Sequence, residues 1–183
     1  MEHFYQNVGE NWFTYPNLYS SVVREFNSGS KFVEVGAWKG RSACFLAVEI
    51  VNSKKDIKFD VIDTWLGSEE HIGYDVLDND GLYKEFIKNI DPVKHIINPI
   101  RMTSLEASNL YEDESLDFVF LDASHKYDDL QADLKAWLPK VKNNGILAGH
   151  DYGSWEEVTN AVNDFFKGKS FSHNSEYCFI HRK

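Results

Sequence analysis

Lys31-Phe-Val-Glu-Val-Gly36-Ala-Trp-Lys-Gly40-Arg-Ser42 decides how the rest of this chain is read. Phe32, Val33 and Val35 make an apolar strand that runs into a turn framed by Gly36 and Gly40, and a helix follows directly. Glycine has no Cβ, so such a turn lets the backbone come close to a ligand. The helix behind it presents unpaired N–H groups at its start. Glu34 stands two residues before the first glycine. The Gly-x-Gly-x-x-Gly spacing that holds a pyrophosphate is absent.

Working outward, strands and helices alternate, the pattern of a parallel sheet with helices on both faces. Residues 17–26 are expected to be helical, followed by strand one at 31–35 and a helix at 41–51 that carries Ala43, Phe45, Leu46 and Ile50. Strand two is expected at 58–62, a helix at 82–90 ended by Asp91-Pro92, and strand three at 95–101. A short helix at 104–110 leads to strand four, 116–121, whose nearly continuous apolar run suits a central buried strand. A helix at 127–138 stops at Pro139, and Asn143-Asn144-Gly145 reads as a turn before strand five at 145–149. A helix at 155–166 and a hairpin at 169–181, turning at Asn174-Ser175, complete the chain. The polar stretch from Thr64 to Gly81 is too long for a tight connection, and its acids Glu69, Glu70, Asp75, Asp78 and Asp80 mark either a solvated loop or a lid. The N-terminal segment holds Phe4, Tyr5, Trp12, Phe13, Tyr15 and Tyr19, which suit a cap over the site, packing on the sheet, or contact with a second copy in a homo-oligomer.

A chain of 183 residues with 43% hydrophobic residues and no linker-like stretch is expected to form one domain, 1–183, with 1–28 as its cap segment. Its formal net charge of −10 argues against a nucleic-acid partner. Cys44 and Cys178 fit no zinc or redox spacing and are expected to be buried, as in a reducing compartment. No apolar run is long enough for a membrane span, and the first residues lack a positive region followed by an apolar one, so a cytoplasmic protein with no membrane partner is expected.

In open α/β sheets ligands bind beyond the carboxyl ends of the strands. At those ends this sequence places Glu34 and Gly36, then Asp63, then Thr103 and Ser104, then Asp122, then His150 and Asp151. Acids in a nucleotide-type pocket repel phosphates but suit hydroxyls and an ammonium group, which describes S-adenosylmethionine better than NAD or ATP. Asp63 follows the first glycine by a gap that suits a ribose. Trp65 fits a ligand stack or the core equally, and Thr103 and Ser104 fit a helix cap or an adenine contact equally.

From Phe32 to Tyr152 the chain resembles the class I S-adenosylmethionine-dependent methyltransferases. Residues 34–40 look like that family's first motif, Asp63 like its ribose-binding acid, and the C-terminal hairpin like its antiparallel last strands. The resemblance implies a Rossmann-like, seven-stranded, mostly parallel sheet. It assigns the cofactor to Glu34, Gly36, Trp38, Gly40, Asp63, Thr64, Thr103, Ser104 and Asp122.

Asp122 and His150-Asp151 carry a second, narrower resemblance, to metal-dependent O-methyltransferases of the catechol and antibiotic-sugar types, which place metal-binding acids at the ends of strands four and five. On that resemblance Asp122, His150 and Asp151 would ligate a divalent cation. Two carboxylates brought onto one rim also repel unless a cation or a shared proton intervenes. His150 departs from the pattern, since an acid is usual there and imidazole favours zinc, manganese or iron over magnesium. The position of the antibiotic-sugar enzymes' general base is Ser124 here, so His125 or His150 is the candidate base. His3, His71, His95, His173 and His181 sit in no motif. The expected activity is methyl transfer to a small molecule, most simply at a hydroxyl oxygen. The rival readings are a nicotinamide-dependent oxidoreductase and a methyltransferase-like binder without turnover.

Overall fold

The computed structural model of the chain describes residues 1–68, 71 and 73–183. Its sheet is built from β1 (Lys31–Val35), β2 (Lys58–Asp63), β3 (Ile97–Arg101), β4 (Leu116–Leu121), β5 (Val141–Gly149), β6 (Ser172–His173) and β7 (Phe179–Arg182). These seven strands lie in the order β3-β2-β1-β4-β5-β7-β6. The first five are parallel, and β7 runs antiparallel to both β5 and β6. The chain leaves β1 toward one edge, then returns to the other side of β1 with β4. The carboxyl ends of β1 and β4 are therefore the place where strand order reverses, and a crevice opens there.

Helices α1 (Pro16–Glu25), α2 (Arg41–Ser53) and α3 (Gly81–Ile90) bury Tyr19, Val22, Leu46, Val48 and Phe86 on one face, against Phe32, Phe118 and Phe120. Helices α4 (Ser104–Ser108), α5 (Tyr127–Trp137) and α6 (Glu156–Phe165) bury Ala107, Leu134, Trp137 and Val162 on the other, against Val33, Val119 and Leu147. Strands buried on both faces need apolar residues in both phases, which is why Leu116–Leu121 reads as a run rather than an alternation. In α1 the proline occupies the first helical turn, where its missing N–H costs nothing, and Leu18, Tyr19, Val22 and Val23 form the buried stripe.

Several expectations shift, among them that β3 begins at Ile97 and α4 ends at Ser108. Asn143-Asn144-Gly145 is no turn: β5 begins at Val141 and passes through it, with Asn144 at φ 66° and a register shift against β4 between Leu116 and Phe118. The turn-type residues there make a bulge, which needs the same left-handed backbone as a turn. Helix α5 ends at Trp137, because Pro139 converts the next residues into the 3-10 turn Leu138–Lys140. The hairpin's first strand shrinks to Ser172–His173, both exposed on a sheet edge. Within the stretch after β2, Asp75–Asp80 forms a 3-10 helix. Glu69 and Glu70, two of the acids named for a lid, lie outside the described residues.

Candidate active site

The glycine turn is held by contacts that start from its own sequence. Gly36 has φ 88°, and a Cβ there would fall 2.0 Å from the Asp122 carbonyl oxygen. No side chain fits, so the glycine is what lets β4 close up beside β1. Gly40, also at φ 88°, would place a Cβ 2.9 Å from the Phe86 ring. Asp63 binds the same turn from β2. Its Oδ2 accepts the backbone N–H groups of Ala37 at 2.8 Å and Trp38 at 3.0 Å, and its Oδ1 accepts that of Trp65 at 2.7 Å. A carboxylate has about four acceptor positions, so three bonds leave room for one more donor.

A cavity of about 750 Å³ lies over this turn, lined from the cofactor set by Gly36, Trp38, Asp63, Thr64, Ser104 and Asp122. Glu34, Gly40 and Thr103 do not line it: Glu34 and Gly40 are buried behind its wall, and Thr103 is exposed. Glu34 is 0% exposed and accepts the Ser42 hydroxyl on one oxygen, while its other oxygen has no partner. Burial raises its carboxyl to about 8, and the nearby charges of Asp122 and Asp63 add to this, so it is uncharged at neutral pH. Thr103 caps α4, taking the Glu106 N–H and giving its own N–H to the Glu106 carboxylate in a capping box. Trp65 settles as core, 1% exposed, with its indole N–H on the Trp38 carbonyl.

The acids expected at the ends of β4 and β5 do meet. Asp122, His125 and Asp151 each offer one ligand atom, and all three atoms lie within 4.8 Å of one another. His125 Nε2 is 2.9 Å from Asp151 Oδ2, and the ring stacks on Trp155 at 4.4 Å. His150, named as a ligand from sequence, stands beside this group: its Nδ1 is 3.3 Å from Asp151 Oδ2 and 3.8 Å from Asp122 Oδ1. Its Nε2 is 2.8 Å from the Thr14 hydroxyl. Burial opposes charge on Asp151, but its bonds to His125 and His150 outweigh that and hold its carboxyl far below the ordinary range. Burial dominates at Asp122 and raises it, with His150 pulling the other way.

The N-terminal segment reaches the site. Residues 9–15 cross the cavity, with Glu10 accepting the Trp38 indole N–H at 2.7 Å and pairing with Lys39 at 2.7 Å. His71, which sits in no motif, lines the cavity and stacks on Trp38 at 4.1 Å, with Trp12 at 5.8 Å on a near-parallel plane. The aromatic density of the first 20 residues was the available signal. Its direction across the strand ends was not.

A methyltransferase-domain family model matches residues 33–152, which spans the glycine turn and both acid-bearing strand ends. The uncharacterized protein y4gI of Sinorhizobium fredii is 26% identical over 133 residues, 69% of this chain but only 14% of that protein's length. Among solved structures, the O-methyltransferase NovP superposes with a TM-score of 0.69 at 16% identity, covering 93% of this chain and 79% of that one. Fibrillarin from Aeropyrum pernix, solved with natively bound S-adenosyl-L-methionine, superposes with a TM-score of 0.57 at 11% identity, covering 94% of this chain and 76% of that one. With the strand order, the glycine turn and the family match in agreement, the chain belongs to the methyltransferase-domain family.

Proposed function

We propose that the protein transfers the methyl group of S-adenosylmethionine to a hydroxyl oxygen of a small molecule. One observation carries this reading: a single cavity joins the Gly36 turn to the Asp122, His125 and Asp151 group. A donor at the first and an acceptor at the second would share one enclosed space. The cavity's size falls within the several-hundred-Å³ range of small-ligand pockets. Asp63 retains acceptor capacity for a ribose hydroxyl, and the Gly36 turn lets a ligand approach backbone. NovP's description as an O-methyltransferase and the S-adenosylmethionine in the fibrillarin structure support the same reading.

The reaction is a direct displacement in which the acceptor oxygen bonds to the methyl carbon as the carbon–sulfur bond breaks. Its proton must leave the oxygen. The chain's work is alignment of oxygen, carbon and sulfur, and removal of that proton. The donor set fits one divalent cation, with two carboxylates and an imidazole within ligand spacing, and Asp122, His125 and Asp151 would hold it. A cation there would supply Lewis acidity to the acceptor oxygen. The His125–Asp151 pair supports a base reading as well, since a carboxylate 2.9 Å from Nε2 orients the imidazole. His150 enters that reading through the same carboxylate.

The test is a screen of metabolite mixtures with S-adenosylmethionine, read by mass spectrometry for methylated product and S-adenosylhomocysteine, with and without chelator. Product formation is expected. Tight NADH binding with no affinity for S-adenosylmethionine would overturn the reading.

A further inference from the structure

Segment 9–15 is attached to the site at both ends. Glu10 holds the glycine turn through Trp38 and Lys39, and Arg41 binds the carbonyls of Val8 at 3.2 Å and Gly9 at 3.3 Å. At its far end two consecutive hydroxyls reach the other side of the cavity. The Tyr15 hydroxyl donates to Asp122 Oδ2 at 2.8 Å, and Thr14 Oγ1 is 2.8 Å from His150 Nε2. Tyr15 is 1% exposed, with its ring 4.6 Å from Phe120 and 4.8 Å from His150. Packing there would be served by phenylalanine. A buried phenol beside apolar rings costs desolvation unless it finds a partner, and the partner it finds is one oxygen of a site carboxylate.

We infer that Thr14 and Tyr15 are positioning residues of the active site, acting through His150 and Asp122. With Oδ2 committed to Tyr15, Asp122 turns Oδ1 toward His150 Nδ1, 3.8 Å away. His150 Nδ1 faces Asp151 Oδ2 at 3.3 Å, an acceptor that calls for a proton on that nitrogen, while Nε2 is fixed by the Thr14 hydroxyl, which also reaches the Glu176 carbonyl at 3.4 Å. Asp151 in turn faces His125 Nε2 at 2.9 Å. A line of contacts thus runs from the roof to His125: Thr14, His150, Asp151, His125. The roof orients the chemistry as well as covering it, and His150 is occupied at both nitrogens. The inference rests on the methyl-transfer reading only for its consequence in turnover, since the orientation itself is measurable without substrate.

The experiment uses the full chain labelled with ¹³C and ¹⁵N, with long-range ¹H–¹⁵N correlation of the histidine rings and ¹³C detection of aspartate carboxyls. In the wild type, His150 Nδ1 is expected to resonate as a protonated nitrogen. Thr14→Val should shift the His150 Nε2 resonance, and Thr14→Ser should keep the wild-type pattern. Tyr15→Phe should move the Asp122 carboxyl resonance, and with an acceptor from the screen should lower kcat by about ten-fold or more while KM for S-adenosylmethionine stays within about two-fold. A dispersed spectrum establishes folding. Should Thr14→Val unfold, Thr14→Ala gives the same reading. Unchanged His150 nitrogens in the Thr14 variant, or an unchanged Asp122 carboxyl in Tyr15→Phe, would overturn the inference. Failure of the wild type to bind S-adenosylmethionine by calorimetry would overturn the functional reading instead and leave the resonance shifts, and the orientation they report, standing.

Discussion

Glu34→Gln separates two roles that a buried acid in the first motif could play. In the fold this carboxyl is raised from 4.5 to about 8, chiefly by burial, with the charges of Asp122 and Asp63 adding to it. Between those two values the unfolded chain has released the proton and the folded chain still holds it. The folded state binds more protons there, so stability falls as pH rises. Each pH unit in the window is worth about 1.4 kcal/mol. At pH 7 the wild type is therefore penalised by about 3 kcal/mol relative to its state below pH 4.5, and by about 5 kcal/mol above pH 8. Glutamine keeps the shape and a carbonyl oxygen for the Ser42 hydroxyl but has no proton to lose. Urea unfolding of both proteins across this range should show the variant gaining on the wild type as pH rises, then running parallel above about pH 8, with matching m-values. Because Glu34 stands behind the cavity wall, S-adenosylmethionine affinity should change by less than about three-fold. A pH-independent gap would refute the assignment of the raised pKa to burial. A loss of affinity above about ten-fold would place the carboxyl on the ligand.

Gly36→Ala should cost about 3 kcal/mol or more, because its Cβ would meet the Asp122 carbonyl at 2.0 Å from a left-handed backbone; a melting temperature within a few degrees of wild type would contradict this. Manganese titration by calorimetry should show binding that His125→Ala and Asp151→Asn each weaken by at least about ten-fold, with a smaller effect from His150→Gln; the reverse order would return the ligand role to His150. Residues 73–81 should exchange their amide hydrogens more slowly with donor and acceptor bound than when free, and equal rates would leave the stretch a solvated loop.

What the sequence made legible was whatever one residue type at one local position decides. Val35-Gly36 ends a strand and begins a turn because no other residue fits the Asp122 carbonyl at that distance, and the glycine carries the information by itself. Strand four declared its burial through six residues, and β1 and β4 fall where their patterns put them. Asp122 and Asp151 could be paired because strand order follows from connection rules. Side-chain direction was not legible. Whether Glu34 faces the cavity or the core depends on which side of β1 the ligand lies, and its neighbours in sequence are equally buried on both sides. Where His150 and His125 stand relative to Asp151 depends on the direction of two rings, whereas the Thr103 cap is announced by Glu106 three residues later.

Thr14 and Tyr15 lie furthest beyond sequence reach, since their partners His150 and Asp122 are 136 and 107 residues away and no periodicity links them. The contact exists because α1 packs on α2, which fixes where residues 9–15 enter the cavity, and α2 is itself placed by the glycine turn. The first motif therefore shapes the acceptor end of the site as well as the donor end. A substitution in α1 that left every site residue untouched, such as Val22→Ala, would open a cavity in the core on which α1 packs. That costs about 2 kcal/mol of stability and should also loosen the hold of Thr14 and Tyr15 on His150 and Asp122. Covering and orienting are then one mechanical property of this fold, set by the packing of the helix that follows the roof.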